Sequence, residues 1–337
     1  MRAFTNILLV FLFTACTSVP DERMTSYVDF PETRELTART LSLDSALFRY
    51  PYRVRVQDDK AVVLDLHGTE YFFHAFHYPG FHYLSSFGKR GDAPEEMLSA
   101  ENLRWNGNFL WTLDSNKSEL TRLGFASSGD SLLRLEAVSL DEELLRALDF
   151  VQYDDSTFII PDYSGDGRFC LVSRQGKLLR KIGTVPTANE DALKSARPAL
   201  AQAWRSFIDY NPRNGVLAAA TQLGEVLEIY NLKDSTHIVR IGPNGEPEFQ
   251  ISQGYGIPIG IMGFSDIQVT DSAIYVVFQG RAFKDIMQKA QQGINLPDGG
   301  QNIYVFSLEG KPLRKYVLDH YIHGISVDEQ KGIIIAT

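Results

Sequence analysis

The chain has little cysteine, no basic excess and no long apolar run, and each shortage removes a class of protein. Its two cysteines, Cys16 and Cys170, sit in unrelated contexts, so neither a disulfide framework nor a CxxC redox or zinc motif is available. Asp and Glu outnumber Lys and Arg by 42 to 33, a net charge of -9, which argues against a general electrostatic grip on nucleic acid. The apolar stretch from Ile7 to Phe13 is too short for a transmembrane helix. G-x-S-x-G, H-E-x-x-H and P-loop patterns are missing, so no familiar catalytic motif stands out. Aromatics are not scarce: at 12% they exclude gross disorder, and 337 residues can bury a sizeable core.

What is present begins at the N-terminus, "MRAFTNILLVFLFTACTSVP". Arg2, a short apolar run and the small residues Thr14 and Ala15 form a secretory signal layout. "FTAC" resembles a lipobox, in which the cysteine becomes the lipidated mature N-terminus; ordinary cleavage beside an incidental cysteine is the other reading. The polar "TSVPDERMTSYVDFPE" reads as a tether. The expected organisation is a signal peptide over 1–16 ending at a lipidated Cys16, a flexible tether over 17–32 and a folded domain over 33–337. The expected location is the bacterial cell envelope, with the lipid in the outer membrane. Cys170, in "GRFCLVS", reads as a buried small hydrophobe.

One phrase recurs through the rest: a short strand, a turn rich in Asp, Asn or Gly, and a second strand of β-branched or aromatic residues. Val56, Trp105, Tyr153, Tyr210, Val269 and Val327 occupy the same place in it, at spacings of 49, 48, 57, 59 and 58 residues. Two further strands follow each of the first five instances, joined by short turns such as "RQG" and "LEG". Four antiparallel strands at a period near fifty predict an all-β, six-bladed β-propeller, whose blades shield their apolar faces against one another. A β-sandwich or two stacked barrels is the competing arrangement. The sixth unit has two strands only. The segment Arg34 to Leu43 reads as a lone strand and is expected to complete that last blade, removing an open edge.

Within each blade the first-to-second and third-to-fourth strand turns are short. The long segments fall at the second-to-third joints and between blades, so they share one face of the disc. Two look partly helical: about Ala188 to Trp204, interrupted by Pro198, and the stripe Phe283, Ile286, Met287, Ala290 with Gly293 as a cap. A ligand or partner is expected on this face, unless the loops only plug the channel.

"SSFGKRGDAPEEM" resembles a phrase of the TolB-like six-bladed propeller lipoproteins of Bacteroidetes, through Phe87, Gly88, Gly91, Pro94 and Glu95. "VRIGPNGEPEFQ" echoes it with Gly242, Gly245, Pro247, Glu248 and Phe249. The resemblance implies the propeller fold and an envelope location, and transfers no catalytic residue.

Candidate chemistry is sparse. His74, His77 and His82 cluster in sequence, but odd spacing in a strand points His74 and His77 to opposite faces. His320 and His323 form an H-x-x-H with no helix expected beneath it, and Asp162 and Asp166 in "DYSGDGR" faintly resemble a calcium loop without its acidic density. The inner strands offer more. Arg53, Arg55, Asn102, Arg104, Asp209, Asp266 and His323 converge by symmetry on the channel mouth, where they would grip an anionic or sugar-like ligand or pair with one another. The favoured reading is a non-enzymatic binding or scaffold propeller presenting its loop face to a protein, peptide or glycan partner. The other is a hydrolase or lyase acting on an anionic or sugar substrate at the channel mouth. The residues imply no particular cofactor or metal.

Overall fold

The recurring phrase folds as the inner hairpin of each blade. The computed structural model describes residues 24–43 and 48–337; the signal peptide, Cys16 and residues 17–23 of the expected tether lie outside the described residues. Two short strands come first, β1 (Met24–Ser26) and β2 (Thr33–Leu36). Blade one is β3 (Pro51–Gln57), β4 (Lys60–Asp65), β5 (Tyr71–His77) and β6 (His82–Lys89). Blade two is β7 (Leu103–Asn106), β8 (Phe109–Asp114), β9 (Glu119–Phe125) and β10 (Leu132–Ser139). Blade three is β11 (Val151–Asp154), β12 (Thr157–Pro161), β13 (Phe169–Ser173) and β14 (Leu178–Ile182). After helices α1 (Glu190–Ser195) and α2 (Arg197–Ala203), blade four is β15 (Ser206–Asn211), β16 (Val216–Thr221), β17 (Val226–Asn231) and β18 (Thr236–Ile241). A hairpin follows, β19 (Phe249–Ser252) and β20 (Tyr255–Pro258). Blade five is β21 (Ile261–Val269), β22 (Ala273–Ala282), helix α3 (Phe283–Gln291), β23 (Gly300–Ser307) and β24 (Pro312–Ile322). The sixth position holds β25 (Ile325–Asp328) and β26 (Ile333–Ala336).

Left-handed residues close several of the tight inner turns, among them Asp58 (φ 52°) and Gly107 (φ 53°) in blades one and two. Apolar packing runs around the whole ring. Val62 and Leu64 meet Leu103 and Leu110 between blades one and two; Trp111 and Leu113 meet Phe158 and Ile160 between two and three. Val151 and Ile159 meet Ile208 and Leu217, and Ala218 and Leu227 meet Ile267 and Ile274. Val277 and Ile303 then meet Ile325, and Ile335 packs with Val54 and Val63. Both faces of each wedge are covered by neighbours, as a propeller requires.

The N-terminal strand does not complete the last blade. β2 instead adds in parallel to the outer edge of blade five, with Thr33 opposite Lys315 and Leu36 opposite Leu318, while β1 adds in parallel to blade four. Among the described residues β26 gains no third strand; Leu43 and Phe48 pack beside it, with Ile335, on the apolar face of blade one. The ring is joined at its inner strands: the Ser326 hydroxyl accepts from the Val56 N–H at 3.1 Å, and Arg55 donates to the Ile325 carbonyl at 2.8 Å.

The tether boundary also moves. From Met24 onward the stretch is docked, with Tyr27 and Phe30 buried between blades four and five against Phe306 and Tyr304. The Tyr27 hydroxyl donates to Glu225 at 2.8 Å. Tyr27→Phe is expected to cost about 1.5 kcal/mol, the usual worth of a hydrogen bond to a charged group, read as a lower urea midpoint together with faster proteolysis of this strap.

Candidate functional site

The channel and the loop face are built by the same device. A buried aspartate closes the second strand of blades one to three and ties down the connection above it. Asp65 accepts the N–H groups of Arg49 and Tyr50, each at 2.7 Å, Asp114 those of Leu98 and Lys117, and Asp162 those of Ser164 and Gly167. In sequence these are the closing residues of "VVLD", "LWTLD" and "FIIPD", a signal whose role only the fold makes plain. The long segments lie on the face so fixed. Pro198 opens α2, which is why the helical stretch breaks there, and Gly293 (φ 74°) follows α3 as its terminator.

The polar residues of the inner strands meet across the axis as one ion network. Arg55 forms a two-pronged pair with Asp266 at 2.9 and 2.8 Å, and Arg53 Nε lies 3.3 Å from the same carboxylate. Arg104 donates to both oxygens of Asp149 at 3.2 and 3.1 Å and stands 3.4 Å from Asp209. Asn102 also donates to Asp149, at 2.7 Å. The same side chains stitch neighbouring blades together. Asp149 accepts the Ile208 N–H, Asp209 that of Val269, Asp266 that of Ile325, and Gln268 that of Val327.

Burial alone would raise the carboxyl of Asp266, but the guanidinium groups of Arg53 and Arg55 outweigh it and hold the group at about 2. Asp209 is less well compensated: burial raises it above the usual range despite Arg104. His323 sits at the channel mouth. Its carbonyl accepts from Arg53 and Ser265, and its ring Nε2 lies 2.9 Å from the Tyr50 hydroxyl, which also donates to Asp298. Burial lowers the His323 imidazole below its ordinary value, with Arg53 and Arg281 adding to the effect against Asp298, so it is neutral at pH 7.

The other histidines do not converge. His77 and His82 face each other across β5 and β6, while His74 is buried with its Nδ1 2.8 Å from Ser86. In "DYSGDGR" the Lys181 ammonium occupies the place a cation would take, 3.5 Å from Asp162 and 3.3 Å from Asp166. Burial pushes the Cys170 thiol up to about 12, the state of an inert core residue.

A feature not read from the sequence is the rim. β19 and β20 form a hairpin that α2 supports and whose Ile251, Tyr255 and Ile257 are exposed. Nothing in α3 is buried, and Met287 is 62% exposed. The two elements adjoin, since the Phe283 N–H donates to the Gly260 carbonyl at 3.0 Å. The signal was there in the alternation of "FQIS" and "YGIP" around Gln253 and Gly254.

A family model described as "TolB-like 6-blade propeller-like" matches residues 29–330. Among solved structures the chain resembles a protein of Bacteroides fragilis described as exported, at 10% identity and TM-score 0.53, covering 87% of this chain and 80% of that one. It also resembles a protein of unknown function from Bacteroides caccae (10% identity, TM-score 0.49, 82% and 85% covered) and a DUF4221 family member from Bacteroides vulgatus (9%, 0.47, 80% and 81%). At such identities the likeness shows the fold alone. No functionally curated protein matches the chain.

Proposed function

We propose, from the premise that this chain belongs to the TolB-like six-bladed propeller family, that it is an exported, envelope-anchored lipoprotein, a non-enzymatic binding propeller presenting its loop-rich face to a protein partner. The observation that carries the reading is the rim. Ile251, Tyr255, Ile257, Ile259, Met287 and Ile294 are exposed large apolar residues of the segments on that face, Tyr255 and Ile257 on one side of the hairpin and Ile251 on the other. Exposed apolar side chains rimmed by polar residues mark protein contact sites. The channel charges favour binding over catalysis, because Arg53, Arg55, Arg104, Asp209 and Asp266 are engaged with one another. The signal layout of residues 1–16 supports the location, and the description of the Bacteroides fragilis structure as exported accords with it.

A photo-crosslinking residue placed at Tyr255 or Met287 in cells is expected to give one discrete adduct, absent when the same probe sits at Leu135 on the outer strand of blade two. Ile251→Ser with Ile257→Ser should abolish the adduct and change stability by no more than about 0.5 kcal/mol, as surface substitutions do. Equal labelling at all three probe sites would sink the reading. Incorporation of labelled palmitate that Cys16→Ser does not remove would refute the anchor. The hydrolase or lyase reading has one observation in its favour, the Tyr50, His323 and Asp298 cluster at the channel mouth.

A further inference from the structure

The third strand of each full blade carries one position that faces the next blade beside the inner hairpin. In blades one, three, four and five it is Ala75, Leu171, Ile229 and Val305, each paired with Val62, Ile159, Ala218 and Tyr275 respectively. In blade two it is Arg122, paired with Trp111. A charge has replaced an apolar residue at this position in one of the five full blades, and the short-turn end of that seam, beyond its packed core, is open. Between blades two and three, on the face opposite the long loops, lies a cleft of about 570 Å³, a volume in the range of small-molecule sites.

Its walls are aromatic rings covered by guanidinium groups. Arg174 lies 4.3 Å from the Trp111 ring centre and Arg122 lies 3.7 Å from that of Phe109. Their charges are not equally committed. Arg174 holds Glu136 with two bonds, at 2.8 and 2.5 Å, whereas Arg122 is 3.6 Å from that carboxylate and makes no hydrogen bond among the described residues. Stacking fixes the plane of Arg122 and leaves its fork of donors with no hydrogen bond among the described residues, Glu136 being its loosely placed counter-charge. Opposite it, from blade three, Gln152 contributes a buried side-chain oxygen with no hydrogen-bond partner. The turns add Asn108 and Asp155 to the lining.

We propose that this cleft binds an acidic sugar, a uronic acid residue, with its carboxylate on Arg122 and its hydroxyls on Asn108, Gln152 and Asp155. An Arg fork selects a carboxylate, phosphate or sulfate. Amides and a carboxylate acceptor suit hydroxyl groups, which donate and accept at once. The negative charge of Asp155 disfavours a dianionic phosphate in the same small space. The site is separate from the rim of the loop face, so either can fail without the other.

Full-length protein should be titrated with glucuronate and galacturonate, with glucose and galactose as neutral controls and acetate as the simple anion, following heat and Trp fluorescence. The expected result is saturable uronate binding at least about tenfold tighter than the neutral sugar, the worth of one charge-assisted contact, with no saturation by acetate. Arg122→Gln should erase the preference for uronate over the neutral sugar, and Asp155→Asn, in an exposed turn, should weaken both while leaving the thermal midpoint unchanged. Absence of saturable uronate binding, acetate binding as tightly as uronate, or an unchanged preference in Arg122→Gln would each overturn the assignment. Should Arg122→Gln not fold, Asp155→Asn alone decides, and unaltered affinity there counts against the site.

Discussion

Arg168→Met is expected to destabilise the protein by about 3–5 kcal/mol, the cost of breaking a buried ion pair from one side. Arg168 leaves the start of β13 and crosses into blade four, where its Nε and Nη2 donate to Glu228 at 2.8 and 2.6 Å and Nη2 also reaches the Ser206 hydroxyl at 2.7 Å. Both charged side chains are fully buried. Without the guanidinium, Glu228 retains the Tyr230 hydroxyl at 2.6 Å but no Arg to neutralise it. Urea unfolding should show a large drop in midpoint at constant slope. Removing both charges together, with Arg168→Met and Glu228→Leu, should recover a good part of the loss, because neither partner is then stranded. A double variant no better than the single one would mean that seam packing, not the stranded charge, sets the cost.

Asp266→Ala strands two buried guanidinium groups at once, those of Arg53 and Arg55, and frees the Ile325 N–H that Asp266 accepts at 2.9 Å. The expected loss is again about 3–5 kcal/mol. Because that N–H belongs to the two-stranded sixth blade, hydrogen exchange over residues 325–328 should accelerate more than in blades two to four. Uniform acceleration would contradict this. Acid probes the same groups without mutation. Asp266 and Glu228 are held at about 2 against ordinary values of 3.8 and 4.5, so the unfolded chain binds their protons first. The stability they supply, on the order of 2–3 kcal/mol each, is present in full above about pH 4.5 and fades as pH falls towards 2. Asp209, raised by burial, acts in the opposite sense and tempers the loss. The thermal midpoint should therefore fall steeply between pH 4.5 and 2; a flat profile would mean that these carboxylates are not held low.

The six phases were legible because each inner hairpin repeats a strong local pattern, strand, turn rich in Asp, Asn or Gly, and apolar strand, independent of what surrounds it. The N-terminal strap was not. β1 and β2 are short edge strands with no alternation, and Tyr27 and Phe30, two aromatics in a polar stretch, were the only sign that the segment is docked. Phasing placed Arg53, Arg55, Arg104, Asp209 and Asp266 around the axis, but which charges pair depends on distances across the channel that no single strand encodes. Asp149 shows this: it accepts from Asn102, Arg104 and the Ile208 N–H, and it lies just outside the repeated phrase. Arg122 was legible in principle, as a charge in a series of Ala, Leu, Ile and Val, once strand register fixed which residues are equivalent.

The parallel attachment of β1 sets a polarity for the whole disc. β18 climbs from the short-turn side towards the long loops, and β1 runs beside it in the same sense, Met24 opposite Val239 and Ser26 opposite Ile241. β1 thus starts at the short-turn side, with Met24 as its end nearest that face. A lipid at Cys16, as proposed above and eight residues before Met24, could stand off by no more than about 25–30 Å of extended chain. If the proposed lipid is there, the disc would keep its short-turn side near the bilayer and turn the hairpin and α3 outward, to be met by whatever approaches from solution.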